Sequence, residues 1–257
     1  MKHIVHLTSA HQRYDTRIFI KMCSYLTKHD YNVSLVVSDG KGDEVKNGVS
    51  IIDVGPKTGG RLSRMTKTVN LIYEKAKELN VDIYHLHDPE LIPIGLKLKK
   101  LHKQVIFDAH EDYVAKIESK TWINPSIRKL IFFSFKAYYN YSVKKLDGVV
   151  LASRYIQANN PNKIIFRNLP NLGFKDKKRV VKKQRKNIVL YTGGITKYRG
   201  IEQVIKAMLQ SSFKNWQLVI LGSIDLDLKH TLKKELEDKR IFVKGEVSYD
   251  EVIKWIY

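Results

Sequence analysis

Short apolar runs alternate with longer amphipathic stretches along almost the whole chain, and this regularity limits the possible folds more than any single residue does. Apolar runs bounded by turn residues read as buried strands. Stretches with apolar residues every three or four positions read as helices with one face inward. The spacing predicts strands at His3 to Leu7, Val33 to Val37, Val49 to Val54, Ile83 to Leu86, Val105 to Phe107, Gly148 to Leu151 and Lys163 to Phe166. Helices are predicted at Thr16 to His29, Leu62 to Leu79, Glu90 to His102 and Ser126 to Lys145. A βαβ succession of this kind builds an α/β fold, a parallel sheet with helices on both faces.

The pattern then breaks. Residues 175–186, Lys-Asp-Lys-Lys-Arg-Val-Val-Lys-Lys-Gln-Arg-Lys, are strongly basic with little apolar content and cannot fold alone. Beyond them it restarts: strands at Ile188 to Tyr191, Gln217 to Leu221 and Ile241 to Val243, helices at Ile201 to Leu209 and Leu228 to Asp238, and a last helix from Tyr249. The expected organisation is therefore a first domain at 1–172, a basic linker at 173–187 and a second domain at 188–257. About three strands are fewer than a usual sheet carries, so the second domain reads as partial.

Apolar residues make up 43% of the 257, enough for a core without staples. The one cysteine, Cys23, lies in a helical pattern and reads as a small buried apolar residue, which suits a reducing compartment. No run reaches about 18 apolar residues, and the opening residues read as a strand and not as a signal sequence. A cytoplasmic protein, free or at the inner face of the cell membrane, is expected. Forty-six Lys and Arg against 26 Asp and Glu give +20, a charge that attracts nucleic acid, acidic lipid headgroups or phosphorylated substrates. No nucleic-acid module appears and no aromatics interleave with the basic run, so nucleic acid loses support.

Chemistry-bearing residues gather where predicted strands end, the position at which open α/β sheets hold their ligands. Residues 191–200, Tyr-Thr-Gly-Gly-Ile-Thr-Lys-Tyr-Arg-Gly, leave one strand and enter a helix. Gly193 and Gly194 allow close backbone approach, the helix N-terminus offers free N–H groups, and Lys197 and Arg199 add charge, a combination that suits a diphosphate. An ordinary strand-to-helix turn is the alternative. Neither the P-loop nor the spaced-glycine dinucleotide pattern is present, so ATP hydrolysis and NAD chemistry are not favoured. In Phe107-Asp108-Ala109-His110-Glu111, His110 could donate to a sugar hydroxyl or a phosphate oxygen, with Asp108 or Glu111 orienting it; a helix-capping or interior histidine is the alternative. In Tyr84-His85-Leu86-His87-Asp88-Pro89-Glu90, His87 and Asp88 shape the cleft. His85 and His87 are read as facing opposite sides of their strand, so no metal site is expected. In the loop from Thr8 to Thr16, Arg13, Asp15 and Arg17 bring both charge signs to the cleft mouth, suited to an acceptor with hydroxyls or phosphate; Asp15 as a helix N-cap is the alternative. The aromatic stretch Ile131 to Tyr141, flanked by Arg128, Lys129, Lys144 and Lys145, fits an interfacial helix on lipid or a helix packed on the sheet.

Together these residues resemble retaining glycosyltransferase family 4, in particular members that build bacterial capsule, exopolysaccharide or envelope glycans. The resemblance runs through His11 to Phe19, Asp82 to Asp88, Phe107 to Glu111, Phe166 to Asn171 and Tyr191 to Gly200. It implies the GT-B architecture, two Rossmann-like domains facing across a cleft, with the second incomplete here. It implies that Gly194, Lys197 and Arg199 meet a donor diphosphate, that His110 lies beside the transferred sugar, and that Gly245, Glu246 and Val247 pack near the nucleotide base. Ile195 stands where many members have arginine and Arg199 where many have lysine; the second change keeps the charge but not its geometry. The family's pair of acidic residues should follow Tyr257, so the chain reads as truncated. The implied partners are a nucleotide-diphosphate sugar such as a UDP- or GDP-sugar and a glycan or lipid-linked acceptor, Glu111 being placed on the acceptor side; contact with an anionic membrane is a further partner, and no cofactor is expected. Two other classes remain open at this point, a nucleotide-sugar 2-epimerase of the same fold and a basic anionic-surface-binding protein without activity.

Overall fold

A computed structural model describes residues 1–118, 120, 123–169, 186–195 and 199–256. The chain divides into two compact units, Met1–Asn171 and Leu172–Tyr257. Lys197 and most of the basic linker lie outside the described residues.

The first unit is built on one sheet of eight strands. In chain order they are β1 His3–Leu7, β2 Asn32–Val37, β3 Glu44–Lys46, β4 Val49–Asp53, β5 Ile83–Leu86, β6 Gln104–Ala109, β7 Gly148–Leu151 and β8 Lys163–Ile165. Their order across the sheet is β3-β4-β2-β1-β5-β6-β7-β8. Every pair is parallel except β3 with β4. β3 adds a short hairpin to the predicted set. It is closed by Asn47 and Gly48, both at positive φ, the two-residue turn that matches strand twist.

Helices cover both faces. Helix α1, Thr16–Cys23, runs on through Ser24–Thr27, and its last turn is opened so that Ser24 N–H donates to Phe19 O. Helix α2 is Val69–Leu79, α3 is Ile92–Lys100 and α4 is Pro125–Lys144. Because side chains alternate along each strand, the interior separates into two cores. Ile18, Phe19 and Cys23 of α1 pack on Val33, Leu35, Val37, Val49 and Ile51. On the other face Val5, Leu7, Tyr84, Leu86, Val105 and Phe107 pack beneath α2, α3 and part of α4.

The chain leaves β1 toward β2 and β4, then returns to β5 on the other side of β1 and builds outward to β8. The direction of winding thus reverses between β1 and β5. Loops leaving the carboxyl ends of these neighbours diverge there, and the gap between them is where ligands bind in such sheets.

The second unit carries a three-stranded parallel sheet in the order β11-β10-β9. β9 is Ile188–Thr192, β10 Gln217–Leu221 and β11 Ile241–Val243. Helix α5, Ile201–Met208, buries Ile201, Ile205 and Met208 against Leu218, Ile220, Leu228 and Leu232. Helix α6, Tyr249–Ile256, follows β11.

Candidate active site

Parallel pairing puts His6 of β1 beside His85 of β5, and His85 beside Ile106 of β6. Residues two apart on a strand share a face, so His87, Asp108 and His110 extend this row toward the carboxyl ends of the strands. The expectation that His85 and His87 face opposite sides is corrected here: their rings stack 4.7 Å apart, with the His6 ring 4.7 Å from His85 and 5.1 Å from His87. A strand's period of two requires this, so the argument against a three-ligand site fails on its own geometry. Among the described residues, His6 with His85 and His87, and His87 with Asp108 and His110, each bring three ligand-type atoms within 4.8 Å of one another.

Asp108 is the hub of the row. Arg17, reaching down from α1, donates from Nε and Nη2 to its two oxygens at 2.8 and 2.7 Å and from Nη1 to Phe166 O at 2.7 Å. His110 Nε2 lies 3.0 Å and His87 Nδ1 3.3 Å from Asp108 Oδ2, and His87 Nε2 lies 2.8 Å from His6 Nδ1. Ionised Asp108 only accepts, so His87 donates to it from Nδ1 and receives the Nδ1 proton of His6 on Nε2. His110 donates to Asp108 from Nε2. Burial alone would raise the Asp108 pKa; the bonds from Arg17, His110 and His87 outweigh it and hold the carboxyl far below its usual range. Burial, reinforced by neighbouring imidazoles, lowers His85 to about 3 and His87 to about 4, and places His6 well below its usual value. The buried imidazoles are neutral. His6 Nε2 and His85 Nε2 have no hydrogen-bond partner among the described residues.

Asp88 closes the mouth from the β5 side. Its Oδ2 accepts from Thr8 Oγ1, Ser9 N and Ala10 N at 2.8, 2.7 and 3.2 Å, which ties the loop after β1 to the end of β5. His11, in that loop, is 3.2 Å from Asp15 and 3.6 Å from Asp88, and its ring lies 4.7 Å from that of His110. Burial would lower the His11 pKa, but Asp15 and Asp88 raise it overall.

In the second unit, backbone and not side chains shapes the strand ends. Gly193, at φ 126, donates its N–H to Leu221 O, and Gly222 N–H donates to Gly245 O at 2.7 Å. A Cβ on Gly222 would stand 2.0 Å from Gly193 O, so no other residue fits without the loops moving apart. The loops after β9, β10 and β11 thus converge. Helix α5 starts beside them at its N-cap Gly200, left-handed at φ 72 and without a side chain of its own to cap the first turn. A Cβ on Gly193 would meet Arg199 Nη1 at 3.4 Å, which places the exposed guanidinium against this loop. A glycine-lined helix N-terminus with an adjacent cation concentrates positive potential at this point.

Residues 16–160, more than half of the chain, match the profile of Glycosyltransferase Family 4. The chain belongs to that family. Residues 174–256 match Glycosyl transferases group 1, so the two profiles fall on the two units in turn. No curated protein matches at the sequence level. Among solved structures the chain is similar to sucrose-phosphate synthase from Thermosynechococcus elongatus, with 15% identity and a TM-score of 0.73 over 99% of this chain and 73% of that one. It is similar to Anabaena HepE in complex with UDP and glucose, with 10% identity and a TM-score of 0.62 over 96% and 70%. The third is WaaG, a glycosyltransferase involved in lipopolysaccharide biosynthesis, with 14% identity and a TM-score of 0.64 over 96% and 71%. These likenesses identify the fold, the GT-B architecture of glycosyltransferases.

Within this glycosyltransferase the residues singled out from sequence divide sharply. His87, Asp88, His110 and Arg17 meet at the end of β5 and β6. Arg13 does not offer itself to a ligand: at 4% exposure its guanidinium is taken up by Asp39, Glu44 and Gly42 O, and it braces the connection from β2 to β3. That corrects its acceptor-side reading. Asp15 is the N-cap of α1, accepting from Arg17 N and Ile18 N, as the alternative reading held. Glu111 is exposed and pairs with Lys116, so Asp108 is the carboxylate that orients His110. Gly193, Gly194 and Gly245 lie in the converging loops, Glu246 is exposed and Val247 half-buried beside them. Sequence reading missed His6, His11 and Gly222. A glycine directly after the apolar run of β10 was the available signal for Gly222; nothing in the spacing marked the two histidines, because His87, the partner of His6, and Asp88 and His110 beside His11 lie far along the chain.

Proposed function

We propose that this glycosyltransferase moves a sugar from a nucleotide-diphosphate sugar to an envelope, capsule or exopolysaccharide glycan or to a lipid-linked acceptor, with retention at the anomeric carbon and without a cofactor. The observation that carries the donor half is the convergence of Gly193, Gly222 and Gly245 beside the glycine-started helix α5 with Arg199 alongside. Free N–H groups and a cation held in advance stabilise the charge of a departing diphosphate, the kind of preorganised electrostatics that dominates many enzymatic accelerations. HepE, one of the structures of this fold, holds UDP and glucose, which supports this donor class. In the first unit His110, its ring fixed by Asp108 through Nε2, turns Nδ1 to a sugar hydroxyl. Attack of the acceptor hydroxyl on the face the diphosphate leaves would give retention and requires no protein nucleophile.

Calorimetry of the full chain with UDP- and GDP-sugars tests the donor assignment. One donor should bind, and Arg199→Ala should weaken it at least about tenfold, the loss of one charge-assisted contact of about 1.5 kcal/mol. Equal affinity in the variant would remove Arg199 from the site. The anomeric proton coupling of the product, read by NMR, decides retention against inversion.

A further inference from the structure

Two buried nitrogens of the histidine row take no part in the site already described. His6 Nε2 and His85 Nε2 have no hydrogen-bond partner among the described residues, although both are shut off from water. An unpaired buried polar atom is costly, and one kept in a native interior calls for a use. His6 and His87 are fully buried and His85 is 8% exposed. Strand pairing sets His6 beside His85, and His87 follows two residues on, on the same face. One ligand-type nitrogen from each of these three rings lies within 4.8 Å of the other two.

The second group of three, His87 with Asp108 and His110, is already committed. Both Asp108 oxygens accept from Arg17 at 2.8 and 2.7 Å, and that guanidinium repels a further cation there. The first group consists of neutral imidazoles alone, the form in which histidine binds a metal. Asp108 serves this group from outside. It accepts from His87 Nδ1 at 3.3 Å, which fixes the tautomer and leaves the His87 Nε2 lone pair toward His6 Nδ1, 2.8 Å away. A carboxylate behind a ligating histidine orients the ring in just this manner.

We propose that His6, His85 and His87 form a buried three-imidazole site for zinc, an ion that takes neutral nitrogen ligands in tetrahedral geometry. The ion replaces the proton between His6 Nδ1 and His87 Nε2, and that proton moves to His6 Nε2, so none is released. His85 Nε2 gives the third lone pair, and a small ligand such as water completes the set. Nitrogens at about 2.0–2.1 Å from one tetrahedral ion stand about 3.4 Å apart, so the 2.8 Å pair opens by about 0.6 Å and the widest pair closes by no more than about 1.4 Å. The ion ties β1 to β5 where the winding reverses, among rings too deeply buried to meet a sugar, and its role is structural. Sugar transfer as proposed above does not depend on it.

The experiment takes the full chain without an affinity tag, produced in zinc-supplemented medium and dialysed against a weak chelator. Metal analysis should find about one zinc per chain, and X-ray absorption should show three imidazole nitrogens at about 2.0–2.1 Å. His85→Gln should lower the retained zinc at least about tenfold, since losing even an orienting partner of a ligand lowers affinity about 10–100-fold. His29→Gln, on the surface, should retain it in full. A wild type without zinc overturns the proposal. So does zinc held by fewer than three imidazoles, kept in full by His85→Gln, or lost with His29. The absorption spectrum is read on the wild type, so it decides the matter even where His85→Gln fails to fold.

Discussion

The two units end their strands in contrasting ways. In the first, buried side chains make the site: Arg17, Asp108, His87, His6 and His110 hold one another in a row fixed by hydrogen bonds between residues as far as 91 positions apart. In the second, glycine backbone makes it, with loops pressed together so closely that a Cβ at Gly222 has no room. The first arrangement is sensitive to charge and protonation and the second to bulk. A site organised by ionised and neutral side chains can orient a proton acceptor; one organised by backbone N–H groups can cradle an anion and tolerates almost no substitution.

The contrast is broken most directly at Arg17. Arg17→Ala leaves ionised Asp108 buried without a cation and should cost about 3–5 kcal/mol in denaturant unfolding of the first unit. A loss below about 1 kcal/mol would show that the row does not depend on that charge. Acid should act on the same row. His85 and His87 have folded values of about 3 and about 4 against an ordinary 6.5, so the unfolded chain takes up their protons first. Their contribution is complete above about pH 6.5 and is lost as pH falls toward 4, at about 1.4 kcal/mol per pH unit for each histidine. Denaturant midpoints across pH 7 to 5 should fall steeply, and His85→Gln should flatten the slope. Gly222→Ala should cost about 2 kcal/mol through steric strain at a φ that side chains rarely adopt. Hydrogen exchange should place that loss in residues 186–256 and leave the first unit unchanged; a loss spread evenly over both would erase the distinction. The smallest effect is expected at Asp15→Ala, which removes the cap of α1 and should cost about 1 kcal/mol by thermal melting. A large loss of sugar transfer with unchanged melting would instead return Asp15 to an acceptor role.

Much of the first unit was legible because its strands are short apolar runs separated by helices whose inward faces repeat every three or four residues. β3 was not, since Glu44-Val45-Lys46 has no apolar run; the Asn47-Gly48 turn that follows was the usable sign. At the site, His110 and Gly193 stood out as polar or glycine residues at strand ends. Arg13 and Arg17 looked alike in sequence, two arginines of one loop, yet the first braces a structural ion-pair network and the second neutralises a buried aspartate.

The sequence alone determined the α/β alternation, the family and the strand ends at which chemistry gathers, because local periodicity and short motifs carry those. Tertiary structure decided which histidines stack, which carboxylate holds His110 and how near Gly222 comes to Gly193. Those facts depend on register and approach between segments tens of residues apart, and a side chain's neighbours across a sheet are set by strand pairing, which no local pattern encodes.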